Sequence, residues 1–230
     1  MKSTLFSLVY CLFASVVVAQ NSSSADFIPL FDGKSLKGWT ASKENSASFL
    51  VEDGTLVCRG GRAHIFYTGD VGGGDFKNFE LKLKIKTTAN SNSGVYFHTK
   101  YQEEGWPKIG FEAQVNSTHT DPRKTGSLYG IVNMWAPVKT EESYLAKVDK
   151  KGEVFILRPK APSTDDEWFD YHIKVQDNTI VIKVNGETTV DWTQPDGWTK
   201  NRRIGSGTVG LQAHDPTCNV HYKDIQIKIL

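Results

Sequence analysis

Apolar and polar positions alternate with a period of two in short runs along most of this chain: SFLVEDGTLVC, HIFY, FELKLKIK, GVYFH, FEAQV, EVFILR, WFDYHIKV, TIVIKV, TTVDW, TVGLQ and VHYKDIQIKIL. Successive side chains of a strand point to opposite faces, so each run predicts a β-strand with one apolar face. Helical spacing over ten or more residues is absent, apart from a weak trace around 140–150. Asp53-Gly54, Asp177-Asn178 and Asn185-Gly186 fall between runs and offer the positive-φ residues that tight antiparallel turns need. Many short strands punctuated this way predict an all-β sandwich or barrel.

The polar halves of the runs are not alike. FELKLKIK presents Glu80, Lys82, Lys84 and Lys86, long charged groups suited to a solvated face. GFEAQV instead puts Glu112 and Gln114 opposite Phe111, Ala113 and Val115. SGVYFH pairs Tyr96 with His98, and GLQAHD pairs Gln212 with His214, by the same alternation. Amides, imidazoles, a phenol and a carboxylate make directional hydrogen bonds and proton transfers, so these three segments are expected to line one functional face.

Two long connections interrupt the strands, at 99–110 with Trp106-Pro107 and at 116–152 with HTDPRKTGSLYG and NMWAPVKTEESYLAK. Long loops in a compact domain commonly carry function, and Trp106, Tyr129, Trp135 and Tyr144 need a surface to pack on. They are expected to wall a cleft. Trp39, Trp168 and Trp192 sit in or beside strands and are assigned to the core. The NST sequon at 116–118 is read as an ordinary loop.

Composition narrows the class of protein. Lys2 followed by LVYCLFASVVV and Val17-Val18-Ala19 reads as a signal segment over 1–19, which implies a secreted or periplasmic product. A short polar linker at 20–26 then precedes a single domain over 27–230. Without residues 1–19 the chain carries 26 Lys+Arg against 26 Asp+Glu, so neither nucleic acid nor an anionic membrane is an expected partner, and no membrane span is expected. Cys58 and Cys218 fit a disulfide or two buried thiols equally well.

Aromatic rings beside amides and a carboxylate suit sugars, which stack their C–H faces on rings and hydrogen-bond through their hydroxyls. An ordinary glycosidase needs two carboxylates. Glu112-Ala113-Gln114 offers one, and a second would have to come from a loop, from Asp215, Asp121 or Glu103. His98, Glu112 and His214 could in principle surround a zinc ion, but no tight ligand spacing and no DxDxDG-like run occurs, so neither a metal nor another cofactor is expected.

FIPLFDGKSLKGW, SNSGVYFH, GFEAQV, TGSLYG and GTVGLQAHD…VHYKDIQIKIL, in that order from Phe27 to Leu230, resemble the 3-keto-disaccharide hydrolase family. The resemblance implies a concanavalin A-like jelly-roll sandwich of two antiparallel sheets and an enzyme that cleaves glycosides already oxidised to a ketone at C3. In the family the residue after SNSGVYF is commonly Arg, where this chain has His98. A C3 ketone acidifies the C2 hydrogen, so one base can remove it, the enolate can expel the C1 substituent, and water can add afterwards. On this reading Glu112, His98 and His214 are catalytic. Tyr96, Gln114, Tyr129, Gln212, Trp106 and Trp135 bind an oligosaccharide or glycoside, and an upstream sugar 3-oxidoreductase supplies the ketone. A non-catalytic carbohydrate-binding module and an ordinary glycosidase remain the rival readings.

Overall fold

The computed structural model describes residues 26–136 and 152–230. The signal segment, most of the linker, the helical trace at 140–150 and Tyr144 lie outside the described residues. The strands begin with β1 (Ile28–Pro29), β2 (Trp39–Ala41), β3 (Phe49–Glu52), β4 (Thr55–Arg59) and β5 (Ala63–Tyr67). They continue with β6 (Phe79–Thr87), β7 (Asn92–Thr99), β8 (Phe111–Asn116), β9 (Val132–Trp135) and β10 (Val154–Leu157). The last are β11 (Phe169–Gln176), β12 (Thr179–Val184), β13 (Glu187–Thr193), β14 (Thr208–Ala213) and β15 (Asn219–Ile229).

Two antiparallel sheets pack as the expected jelly-roll sandwich. One has the order β13-β12-β11-β6-β15-β4-β3 with β1 also on β15, and the other runs β2-β5-β14-β7-β8. The β9–β10 pair is a departure from the purely antiparallel expectation: it is a parallel two-stranded ribbon, joined to the five-stranded sheet through Leu128, which bridges both Ala113 of β8 and Val132 of β9. The predicted turns are in place, with positive φ at Asp53, Gly54, Asp177, Asn185 and Gly186.

The core follows from the alternation. Phe79, Leu81, Leu83 and Ile85 of β6 face inward, while Glu80, Lys82, Lys84 and Lys86 are only partly covered. Against them lie Val95, Phe111, Ala113, Val115, Leu211 and Ile65 of the smaller sheet. Full burial of each large apolar side chain contributes about 1.5–3 kcal/mol. Two buried tyrosines tie the layers with satisfied hydroxyls: Tyr171 donates to the Gln114 carbonyl at 2.9 Å, and Tyr222 meets the Ser93 hydroxyl at 2.6 Å. Cys58 and Cys218 are free buried thiols.

Trp39 is buried as expected, its indole N–H on the Leu30 carbonyl, and Trp192 packs against the core half-buried. Trp168 corrects the expectation. Strand parity gives the inward place to Phe169, and the Trp168 ring lies half-buried beneath the Lys86 and Lys223 ammonium groups, 5.3 and 4.1 Å from its centroid.

His98 is a second correction. Gly210 pairs with Tyr96 and Thr208 with Thr99, so β7 carries one residue more than β14 between them. An extra residue shifts the alternation by one place and reverses the facing of the residues beyond it. His98 takes up the bulge at φ 51° and turns away from the Tyr96 face. It packs against Phe79, Phe97 and Phe111, and its Nε2 lies 2.8 Å from the Lys77 carbonyl.

Candidate active site

The five-stranded sheet is buried on both faces. Its core face is apolar; its other face carries Asn92, Tyr96, Glu112, Gln114, Gln212 and His64, each 5% exposed or less. An antiparallel sheet usually leaves its second face to water. Here that face holds a cavity of about 330 Å³ lined by Asn92, Tyr96, Trp106, Pro107, Glu112, Gln114, Asp121, Tyr129, Arg202, Gln212 and His214. A larger groove of about 690 Å³ runs over the outer face of the eight-stranded sheet, floored by Lys82, Lys84, His172 and Lys183. It is the solvated face read from the sequence, with Lys84 paired to Asp170 and His172 to Glu80.

Strand register sets the cavity floor. Tyr96 lies opposite Glu112, Gly94 opposite Gln114, and His64 opposite Gln212. The Gln212 amide nitrogen is 2.9 Å from the Tyr96 hydroxyl and 3.4 Å from Glu112 Oε1. A Cβ on Gly94 would stand 2.6 Å from Glu112 Oε1, so the absent side chain is what makes room for the carboxylate. Burial pushes the Glu112 carboxyl up, against the opposing pull of the Arg202 guanidinium and the Tyr96 hydroxyl. His64 is pushed down to about 4 by burial and stays neutral.

Loops supply the walls. Segment 125–130 runs beside β8: Gly126 N–H donates to the Gln114 carbonyl, Gln114 N–H to Ser127, and Tyr129 N–H to Glu112. This fixes Tyr129 at the rim, where Arg202 and Arg123 each lie 4.9 Å from its ring centroid. Arg202 also donates to the Tyr129 carbonyl, sits 3.9 Å from Glu112 Oε2, and is anchored by the Trp198 indole N–H on its own carbonyl at 2.6 Å. Trp106 forms another wall, 43% exposed and 5.1 Å from the His214 ring.

The loop after β8 is pinned from beneath. The Asn116 amide donates to the carbonyls of Asp121 and Arg123 at 2.8 and 3.0 Å, which closes the sequon side chain inside the protein. Buried Lys124 donates to the His119 carbonyl at 2.6 Å, and burial pushes its ammonium down to about 8. His119 and His214 then meet one carboxylate oxygen, Asp215 Oδ2, through Nε2 at 3.2 Å and Nδ1 at 2.8 Å. Burial would raise the Asp215 carboxyl, but hydrogen bonds from Thr217 and His214 outweigh it and hold it below the usual range.

Of the residues expected from sequence, Glu112, His214, Tyr96, Gln114, Tyr129, Gln212 and Trp106 share the cavity. His98 does not, so His98, Glu112 and His214 do not form one cluster. Trp135 lies behind the wall, 5.0 Å from Phe155 and 5.8 Å from the Arg123 guanidinium. Glu103 pairs with Lys43 at the surface, whereas Asp121 faces the cavity. Arg202, Asn92, His119 and His64 were missed. The parity of AHIFY, which sets His64 opposite Ala63 and Ile65, could have found the last.

A lectin-type sandwich whose covered sheet face holds a sugar-sized cavity of amides, acid–base groups and an exposed indole has the architecture of a carbohydrate-active protein. The chain belongs to the family described as the 3-keto-alpha-glucoside-1,2-lyase-like domain, whose model matches residues 26–228. A 3-keto-disaccharide hydrolase of Bacteroides thetaiotaomicron is 22% identical over 89% of this chain and 78% of its own length. A Parabacteroides distasonis protein assigned as a glycosyl hydrolase superposes with a TM-score of 0.59, at 22% identity over 89% of this chain and 94% of that one. The carbohydrate binding module CBM66 of Bacillus subtilis superposes with a TM-score of 0.52, at 13% identity over 83% of this chain and 95% of that one. The two superpositions show the shared fold. Family membership puts the chain among carbohydrate-active enzymes.

Proposed function

We propose that this protein cleaves the glycosidic bond of 3-keto-glycosides or 3-keto-disaccharides by removing the C2 proton, eliminating the C1 substituent and adding water to the product. The observation that carries this reading is one buried, strand-borne carboxylate, Glu112, in the same cavity as His214 and the Arg202 guanidinium. Elimination beside a ketone needs one base, donors for the enolate oxygen and a proton for the departing oxygen. Glu112 and His214 divide the acid–base work. Arg202 and the Tyr96 hydroxyl stand ready for the enolate oxygen, and Asn92, Gln114 and Gln212 for sugar hydroxyls. The Trp106 face takes the ring's C–H surface. The ketone is made beforehand by oxidation at C3, and the signal segment at 1–19 sends the protein to the periplasm or the medium.

Purified protein is incubated with matched 3-keto and unoxidised glucosides and the products are followed by mass spectrometry. Cleavage of the ketone alone, lost in Glu112→Gln at unchanged melting temperature, is expected. Asp121 on the cavity wall favours one alternative, an ordinary glycosidase with Glu112 and Asp121 as its two carboxylates. Cleavage of the unoxidised sugar would establish that alternative, and binding of both sugars without turnover would leave a binding module.

A further inference from the structure

We infer that His214 is the proton acceptor at C2, and that Asp215 and His119 are positioning residues that hold its ring with Nδ1 protonated and Nε2 free. This rests on the proposed elimination and assigns the base within it. The hydrogen bonds leave one consistent arrangement. His119 Nδ1 accepts from the Asp121 backbone N–H at 3.1 Å and faces the Asn92 amide nitrogen at 3.4 Å, so its proton is on Nε2, directed at Asp215 Oδ2. The Asn92 amide is itself oriented, because its oxygen accepts from Gln114 at 2.8 Å. Asp215 Oδ1 accepts from the Thr217 backbone N–H at 2.9 Å and from the Thr217 hydroxyl. Oδ2 therefore takes two imidazole N–H donors, which a carboxylate oxygen with two lone pairs accommodates. His214 Nδ1–H is one of them, and its Nε2 has no partner among the described residues.

One ligand atom from each of His119, His214 and Asp215, all within 4.8 Å of one another, also gives the spacing of a three-ligand metal centre. The surroundings oppose that use. A metal-bound imidazole normally donates its other ring N–H to a carbonyl or carboxylate. His119 Nδ1 faces a backbone donor instead, and a ring cannot accept there and also ligate through Nε2 while neutral.

In the step, His214 Nε2 takes the proton from C2, the C–H pair becomes the C2–C3 π bond, and the carbonyl pair moves onto the C3 oxygen. Collapse of that enolate restores the ketone, forms the C1–C2 double bond and expels the C1 oxygen with its pair. That oxygen takes a proton from Glu112, whose buried carboxyl is held toward its protonated form. A proton passing from the His214 imidazolium to Glu112 restores both groups for the next turnover.

The test separates enolisation from cleavage. 3-Keto-1,5-anhydroglucitol has a C2 hydrogen but no leaving group, so its C2 hydrogen–deuterium exchange in D2O, followed by NMR, reads the base alone. The titratable groups facing His214 are Asp215, His119, Glu112 and His64. Wild-type protein is expected to exchange C2 and to cleave a 3-keto-glucoside. Glu112→Gln should still exchange while losing cleavage. Asp215→Asn should lose about 10²-fold in exchange, the usual worth of a positioned general base. His119→Gln should show the same loss in smaller degree, and Asp215→Glu should recover part of the rate. Asp215→Asn and His119→Gln with wild-type exchange would overturn the inference, as would exchange abolished by EDTA and restored by zinc. A wild-type protein that neither exchanges nor cleaves the ketones would instead remove the proposed elimination itself.

Discussion

Gly94→Ala tests whether the position of the Glu112 carboxylate matters, through one methyl group that touches no substrate. Gly94 lies in β7 without a positive φ, so alanine meets no backbone strain there. Its Cβ would be 2.6 Å from Glu112 Oε1, 2.9 Å from Cγ and 3.2 Å from Cδ. Ordinary contact begins near 3.5 Å, so the carboxylate must retreat by about 1 Å, and the close Cγ means the whole side chain must turn. Overpacking of this kind destabilises by about 1–3 kcal/mol, offset by about 0.5–1 kcal/mol from replacing a strand glycine. A net loss of up to about 2.5 kcal/mol corresponds to a fall in melting temperature of up to about 10 °C at this chain length. A misplacement of about 1 Å should lower kcat/KM on a 3-keto-glucoside by about 10²-fold. The double-mutant cycle supplies the control. In a Glu112→Ala background the obstruction is gone, so Gly94→Ala should be neutral or stabilising, with a coupling of about 1–3 kcal/mol between the two sites. A Gly94→Ala protein that keeps a third or more of wild-type turnover, with stabilities that add, would refute the reasoning.

Two further outcomes concern the charges around the cavity. His64 accepts a proton near 6.5 when unfolded but only at about 4 when folded, so the stability it contributes is complete above 6.5 and is lost as pH falls toward 4. That loss is about 3 kcal/mol, and urea midpoints from pH 7 to 4 should fall less steeply in His64→Gln than in wild type. Arg202→Gln should lower turnover about 10²-fold by removing a donor from the enolate oxygen. Because the lost guanidinium held the Glu112 carboxyl down, the alkaline limb of the pH–rate profile should move to higher pH, and an unmoved limb would separate Arg202 from Glu112.

The sandwich was legible because burial imposes a period of two on every core strand, and FELKLKIK shows it without exception. Glu112, Gln114, Tyr96 and Gln212 were legible for the same reason: a side chain on a regular strand has its face fixed by parity alone. His98 was misassigned because a bulge breaks parity, and no glycine at 98 announced the positive φ. His119 and Arg202 were illegible for a different reason. Loops whose course depends on distant partners bring His119 to Asp215 and His214, through Lys124 and Asn116, and Arg202 to the cavity, through Trp198. Composition identifies such loops but not where their side chains arrive.

The covered polar face has its own consequence for what the cavity takes. A buried polar atom without a partner is destabilising by about 1–3 kcal/mol, and native proteins keep few of them. Six such side-chain atoms occur among the described residues, and three of them, His64 Nδ1, Gln114 Oε1 and Gln212 Oε1, belong to this one sheet face. The opposite face of the same sheet is built from Val95, Ala113 and Leu211 and has no such need. Two amide oxygens lacking donors, beside an exposed indole and a guanidinium, match a ligand that presents several hydroxyls in a ring plane and C–H groups on its face. A flat apolar ligand would leave the amide oxygens unpaired and the guanidinium desolvated. Polyhydroxylated rings are therefore favoured by the groups the fold leaves unsatisfied as well as by those it displays.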